Sequence, residues 1–175
     1  MQIKTKIGTA FAALVILAAG SGAGAAPPPP ETKDLARLVG SWKGTGSMAI
    51  GSDKADGIKV TWTCRAVSGG SGVACDAVMT GIPGVDRYEE TDLFGYDPGT
   101  GKLHWFAVTN AGETHDHVGG PWNGQSAQFV YTGVQDRKPL KEILDLSFKG
   151  GSVDIHAQTF LDGKLASVLH ATARK

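Results

Sequence analysis

Three of the five histidines fall close together in this chain, and their spacing invites metal chemistry. His115 and His117 stand two apart, so on a strand they share one face. A two-residue turn at Asn110-Ala111 sets His117 opposite His104 and His115 opposite Phe106. Three imidazoles so arranged can hold zinc or another divalent ion and leave one position open for water. Glu89 or Glu113 could add a carboxylate. The same alternation also suits a solvated strand, because Trp105, Ala107 and Thr109 compete with His104, Phe106 and Val108 for the inner face.

His170 is a second candidate. A tight turn at Asp162-Gly163 pairs Thr159 with Ala166, Ala157 with Val168 and Ile155 with His170, which points His170 inward. An imidazole in an apolar cavity can ligate haem iron, hydrogen-bond a ligand, or act as a general acid or base. His156 falls on the opposite face, near Asp145, as an exterior charge pair of little energetic weight. No nucleophile elbow, Walker loop, Rossmann fingerprint or HExxH stretch occurs in the chain, so no catalytic residue is assigned.

The elements that must carry these residues are hairpins. Ile58, Val60, Trp62, Cys64 and Ala66 share one strand face, and Val73, Cys75, Ala77 and Met79 share the next. A turn at Gly69-Gly70 sets Cys64 opposite Cys75, Trp62 opposite Ala77 and Val60 opposite Met79. A Cys64–Cys75 disulfide follows from that register in an oxidising compartment. A second hairpin turns at Asp97 to Lys102 and pairs Phe94 with Trp105 and Leu93 with Phe106. A third, turning at Gly150-Gly151, sets Leu144, Leu146 and Phe148 against Val153, Ile155 and Ala157. Gly51 to Gly57 reads as a polar turn, and Asp34 to Val39 as a helical turn.

Consecutive hairpins with one apolar face would leave two exposed edges as an open sheet, so closure is favoured. The expected fold is all-β, an up-and-down antiparallel barrel of about 8–10 strands led by a short helical turn.

Residues 1–25 read as an export signal. Lys4 and Lys6 precede the apolar run Ile7 to Ala19, and Ala23-Gly24-Ala25 is a small-x-small cleavage site. That run is too short for a membrane span. Residues 26–33, with four consecutive prolines, read as a stiff tether, and residues 34–175 as one domain. Lys plus Arg equals Asp plus Glu at 17 each, so bulk charge draws the chain to neither nucleic acid nor an anionic membrane.

The opening LVGSWKGTG (Leu38 to Gly46), with Gly40-Ser41-Trp42 after a helical turn, resembles the first-strand motif of lipocalins in the calycin superfamily. Together with LFGYDPGTGKLHWF (Leu93 to Phe106) and the Arg-Lys end, it is most similar to a bacterial family of secreted lipocalin-like domains of unknown function. The similarity covers residues 35 to 175 and implies a barrel with an internal cavity. Gly40-x-Trp42-x-Gly44-x-Gly46 also resembles the first-strand motif of nitrobindins, which bind haem through a histidine near the C-terminus; His170 would be the matching position.

The sequence thus points to an exported, periplasmic or secreted barrel that binds a small apolar or amphipathic molecule. Val60, Trp62, Met79, Ile155 and Val168 form the expected wall, and His170 orients the ligand. The rival readings are a haem or zinc protein, using His170 or the His104/His115/His117 face, and an enzyme with a cavity histidine as general acid or base.

Overall fold

The computed structural model describes residues 27–175. The export signal expected in residues 1–25 lies outside them. Two short 3-10 turns, Pro30–Thr32 and Leu35–Leu38, come first. Ten strands follow: β1 (Gly40–Ile50), β2 (Asp53–Val67), β3 (Gly72–Thr80), β4 (Tyr88–Asp97) and β5 (Lys102–Thr109), then β6 (Thr114–Gly119), β7 (Ser126–Gln135), β8 (Lys138–Lys149), β9 (Ser152–Leu161) and β10 (Lys164–Arg174). Each strand pairs with the next, and β10 returns to β1, so the sheet closes as an antiparallel up-and-down barrel.

Closure depends on the glycines of the opening motif. A methyl group on Gly44 would stand 2.0 Å from the Thr172 carbonyl oxygen, and one on Gly46 would stand 2.2 Å from that of His170. Only glycine lets β1 lie this close across the seam to β10.

The three best hairpins adopt their expected registers. Val60 pairs with Met79, Trp62 with Ala77 and Cys64 with Cys75. Phe94 faces Trp105, and Leu146 faces Ile155. Cys64 and Cys75 form a disulfide. The connection between them is the four residues Ser68 to Ser71, an even number like the expected two, so the alternation survives. The polar stretch after β1 turns at Gly51-Ser52 alone, and Asp53 already belongs to β2.

Two registers differ from expectation. Four residues separate β5 from β6, and because Glu113 still faces Thr109 the turn proper is three, Asn110 to Gly112, with Gly112 at a φ of 85°. The Thr109 amide bonds back to the Glu113 carbonyl. The odd count sets His117 opposite Trp105 and His115 opposite Ala107, and leaves His104 opposite Val118. In the last hairpin, Leu165 pairs with Phe160 as a tight Asp162-Gly163 turn requires. A bulge at Ala166 then moves the pairing to Ser167 with Thr159. One extra residue flips every later side chain to the other face.

The two barrel ends differ. Trp42, Trp62, Phe94, Trp105, Phe129, Phe148 and the second-turn residues Leu35 and Leu38 fill one end as a continuous core. There the Trp42 indole donates to the Leu38 carbonyl at 2.6 Å, which ties the helical turn down as a plug. The other end, under the β1–β2, β5–β6, β7–β8 and β9–β10 turns, holds a cavity. Polarity runs apolar inside and polar outside along β2, where Lys59, Thr61, Thr63 and Arg65 face out. No helix among the described residues is long and apolar enough to cross a membrane.

Candidate functional site

The cavity measures about 550 Å³. Its walls are segregated. β9, β10, β1, β2 and β3 present an apolar half that includes Ile155, Leu169, Met48, Val60, Trp62 and Met79. Every titratable residue in the lining comes from the other half, between β4 and β8: Tyr88, Glu90, Asp92, Glu113, His115, His117 and Glu142.

Alternation explains how they arrive there. Tyr88, Glu90 and Asp92 share the inward face of β4 with buried Phe94. Glu142 sits between Leu140 and Leu144 on the inward face of β8. His115 and His117 join them because the three-residue turn rotates β6 by one position.

The centre of the polar wall is a carboxylate bridging two imidazoles. Glu142 Oε2 lies 2.8 Å from His115 Nδ1 and 2.9 Å from His117 Nε2. The Trp105 carbonyl lies 3.3 Å from His117 Nδ1. A carbonyl only accepts, so Nδ1 carries a hydrogen and Nε2 is the nitrogen turned to Glu142. Tyr131 on β7 stacks on His115 at 4.1 Å between ring centres and holds that ring's plane. Burial alone would push the Glu142 carboxyl up. The hydrogen bond from His117 and the charges of both imidazoles outweigh burial and hold it below its ordinary value.

Deeper in the barrel, Asp92 is 1% exposed. Its Oδ2 accepts from the Trp62 indole at 2.9 Å and its Oδ1 from the Trp105 indole at 2.6 Å. Burial pushes this carboxyl well above its ordinary value, and the charge on Glu90 adds to the rise. Glu90 in turn accepts from the Tyr88 hydroxyl at 2.7 Å, and burial together with Glu90 drives that phenol's pKa upward. A ladder of polar groups therefore climbs β4 toward the cavity.

The expected site residues divide between the two faces. Val60, Trp62, Met79 and Ile155 line the cavity. Val168 and His170 do not, because the Ala166 bulge turns them outward. His170 is exposed and stacks on His156 at 4.1 Å, outside the barrel. The haem arrangement that the nitrobindin resemblance assigns to it therefore has no interior imidazole at that position. His104 is also outside, against Asp116 at 3.0 Å, so the expected three-histidine face does not assemble. Glu142 takes the third place, and Glu89 is exposed. The sequence signal for Glu142 was its position between inward leucines, an acid where the alternation demands an apolar residue.

A family model described as "Protein of unknown function (DUF1579)" matches residues 27–139. No curated protein matches. Among solved structures the chain is similar to Rv2717c from M. tuberculosis, with 17% identity and a TM-score of 0.64 over 85% of this chain and 99% of that one. It is also similar to the S-type phycobiliprotein lyase CPES from Guillardia theta, with 12% identity and a TM-score of 0.55 over 83% and 94% of the two chains. At such identities these likenesses concern the fold alone.

Proposed function

This chain belongs to the DUF1579 family, and we propose that it is an exported barrel that encloses a small amphipathic molecule. The observation that carries this reading is the segregated cavity of about 550 Å³. That volume lies within the range of small-molecule pockets. The apolar half, with Val60, Trp62, Met79 and Ile155, suits a hydrocarbon or ring body, which gains roughly 25 cal/mol for each Å² of apolar surface removed from water. The opposite half offers carboxylates and imidazoles to a polar head group. Orientation then follows from chemistry: the reverse pose would strip water from the remaining lone pairs of the carboxylates and set the polar head group against hydrocarbon. Export is supported by the Cys64–Cys75 disulfide and by the charged and apolar pattern of residues 1–25.

The test is native mass spectrometry of protein recovered from its own host, followed by titration with a panel of single-chain amphiphiles read by quenching of Trp62 and Trp105 fluorescence. The decisive variant is Ala157→Trp, which fills the cavity from the apolar wall. Retained or panel-bound ligand that this variant excludes, with its far-UV circular dichroism and thermal melt close to wild type, supports the reading. Binding that persists with the cavity filled, or a chain that binds nothing in the panel and carries nothing from its host, would count against it.

A further inference from the structure

We propose that His115, His117 and Glu142 form a site for one divalent transition-metal ion, on the cavity wall between β6 and β8. The three side chains already converge. One ligand atom from each lies within 4.8 Å of the other two, and both imidazole nitrogens approach the same oxygen at 2.8 and 2.9 Å. Metal bonds to histidine nitrogen and carboxylate oxygen run about 2.0–2.2 Å, so neighbouring ligand atoms stand about 3 Å apart on an octahedron and about 3.4 Å on a tetrahedron. The two nitrogen–oxygen separations fall just inside those spacings, and the third, between the imidazole nitrogens, is at most 4.8 Å, so side-chain adjustment that draws the nitrogens together would seat an ion where hydrogens now sit.

The surroundings favour the same conclusion independently. His117 is anchored through Nδ1 to the Trp105 carbonyl, which leaves Nε2 as the coordinating nitrogen. That is the outer bond a metal-bound histidine needs to fix its ring and tautomer. Tyr131 does a similar service for His115 by stacking. The described cavity lining contains Glu90, Glu113 and Glu142 as well as the buried Asp92, but neither Lys nor Arg, so the bias rests on the three glutamates. An enclosed wall with that bias attracts a cation and offers it no resident competitor. Two imidazoles and one carboxylate suit zinc or a neighbouring first-row ion, and they leave coordination positions facing the cavity.

This site does not depend on the identity of any organic ligand, and its test uses the metal alone. Untagged protein is stripped with a chelator, desalted and titrated with Zn²⁺ against a chromophoric competitor, with native mass spectrometry for stoichiometry and the visible spectrum of the Co²⁺ form for coordination. The expected result is one ion per chain. His117→Gln and Glu142→Gln should each weaken binding on the order of 100-fold or more. His104→Gln, on the outer face, should leave it unchanged. Circular dichroism and a thermal melt accompany each variant; should His117→Gln unfold, His115→Phe keeps the stacking on Tyr131 while removing a ligand. No binding at about 100 µM free Zn²⁺, binding that survives Glu142→Gln, or binding lost in His104→Gln would each overturn the assignment.

Discussion

Asp92 offers the sharpest test of how the interior is held. It accepts hydrogen bonds from two indoles that are themselves buried, Trp62 at 2% and Trp105 at 5% exposure. Asp92→Ala removes both acceptors and leaves two N–H groups with no water to replace them. An unsatisfied buried donor costs about 1–3 kcal/mol, so the pair sets an expected loss of about 2–6 kcal/mol. With a urea m-value of about 2 kcal/mol/M, the unfolding midpoint should fall by about 1–3 M. Asp92→Asn keeps the shape and one acceptor but turns an amide donor toward the second indole, so its loss should be smaller, about 1–3 kcal/mol. The pH dependence has a definite sign. The folded carboxyl titrates above its ordinary 3.8 because burial, and then Glu90, disfavour its charge. Between 3.8 and that raised value, folded chains hold a proton that unfolded chains have released, so this group's contribution to stability declines as pH rises. The gap between wild type and Asp92→Asn should therefore narrow with rising pH. Urea unfolding followed by tryptophan fluorescence at several pH values measures both effects. A midpoint for Asp92→Ala equal to wild type, or a gap that widens with pH, would refute the reasoning.

Three further outcomes follow from the same geometry. The disulfide closes a short loop, with a sequence separation of 11, so replacing both cysteines by alanine should cost ~2–3 kcal/mol in denaturant unfolding. Gly44→Ala places a methyl against the backbone of β10 at the closing seam, and an overpacking loss of about 1–3 kcal/mol or more should appear as a lowered melting temperature. His170→Ala removes an exterior ring stacked on His156. It should leave affinity for any cavity ligand within about threefold of wild type, and a larger loss would place His170 at the site after all.

Much of the barrel was legible in the residues themselves. Alternating apolar positions and glycine-rich turns specify hairpins, and ten strands joined in series this way have little choice but to close. The cysteine hairpin was legible in register too, since its turn and its alternation require the same pairing. What the sequence left open was which face each histidine takes. That choice rests on parity: a third residue in the loop after Thr109 and one bulged residue at Ala166 each reverse a strand's faces. Neither carries a local signal strong enough to distinguish two residues from three, because the cost of one extra residue is settled by packing against neighbouring strands. So the third histidine moved outside with His170, and Glu142, 25 residues beyond His117, came in beside the remaining pair. Composition and spacing determined that this chain would build a lined interior. Only closure of the sheet, which fixes register through contacts on both sides of every strand, decided which side chains meet there.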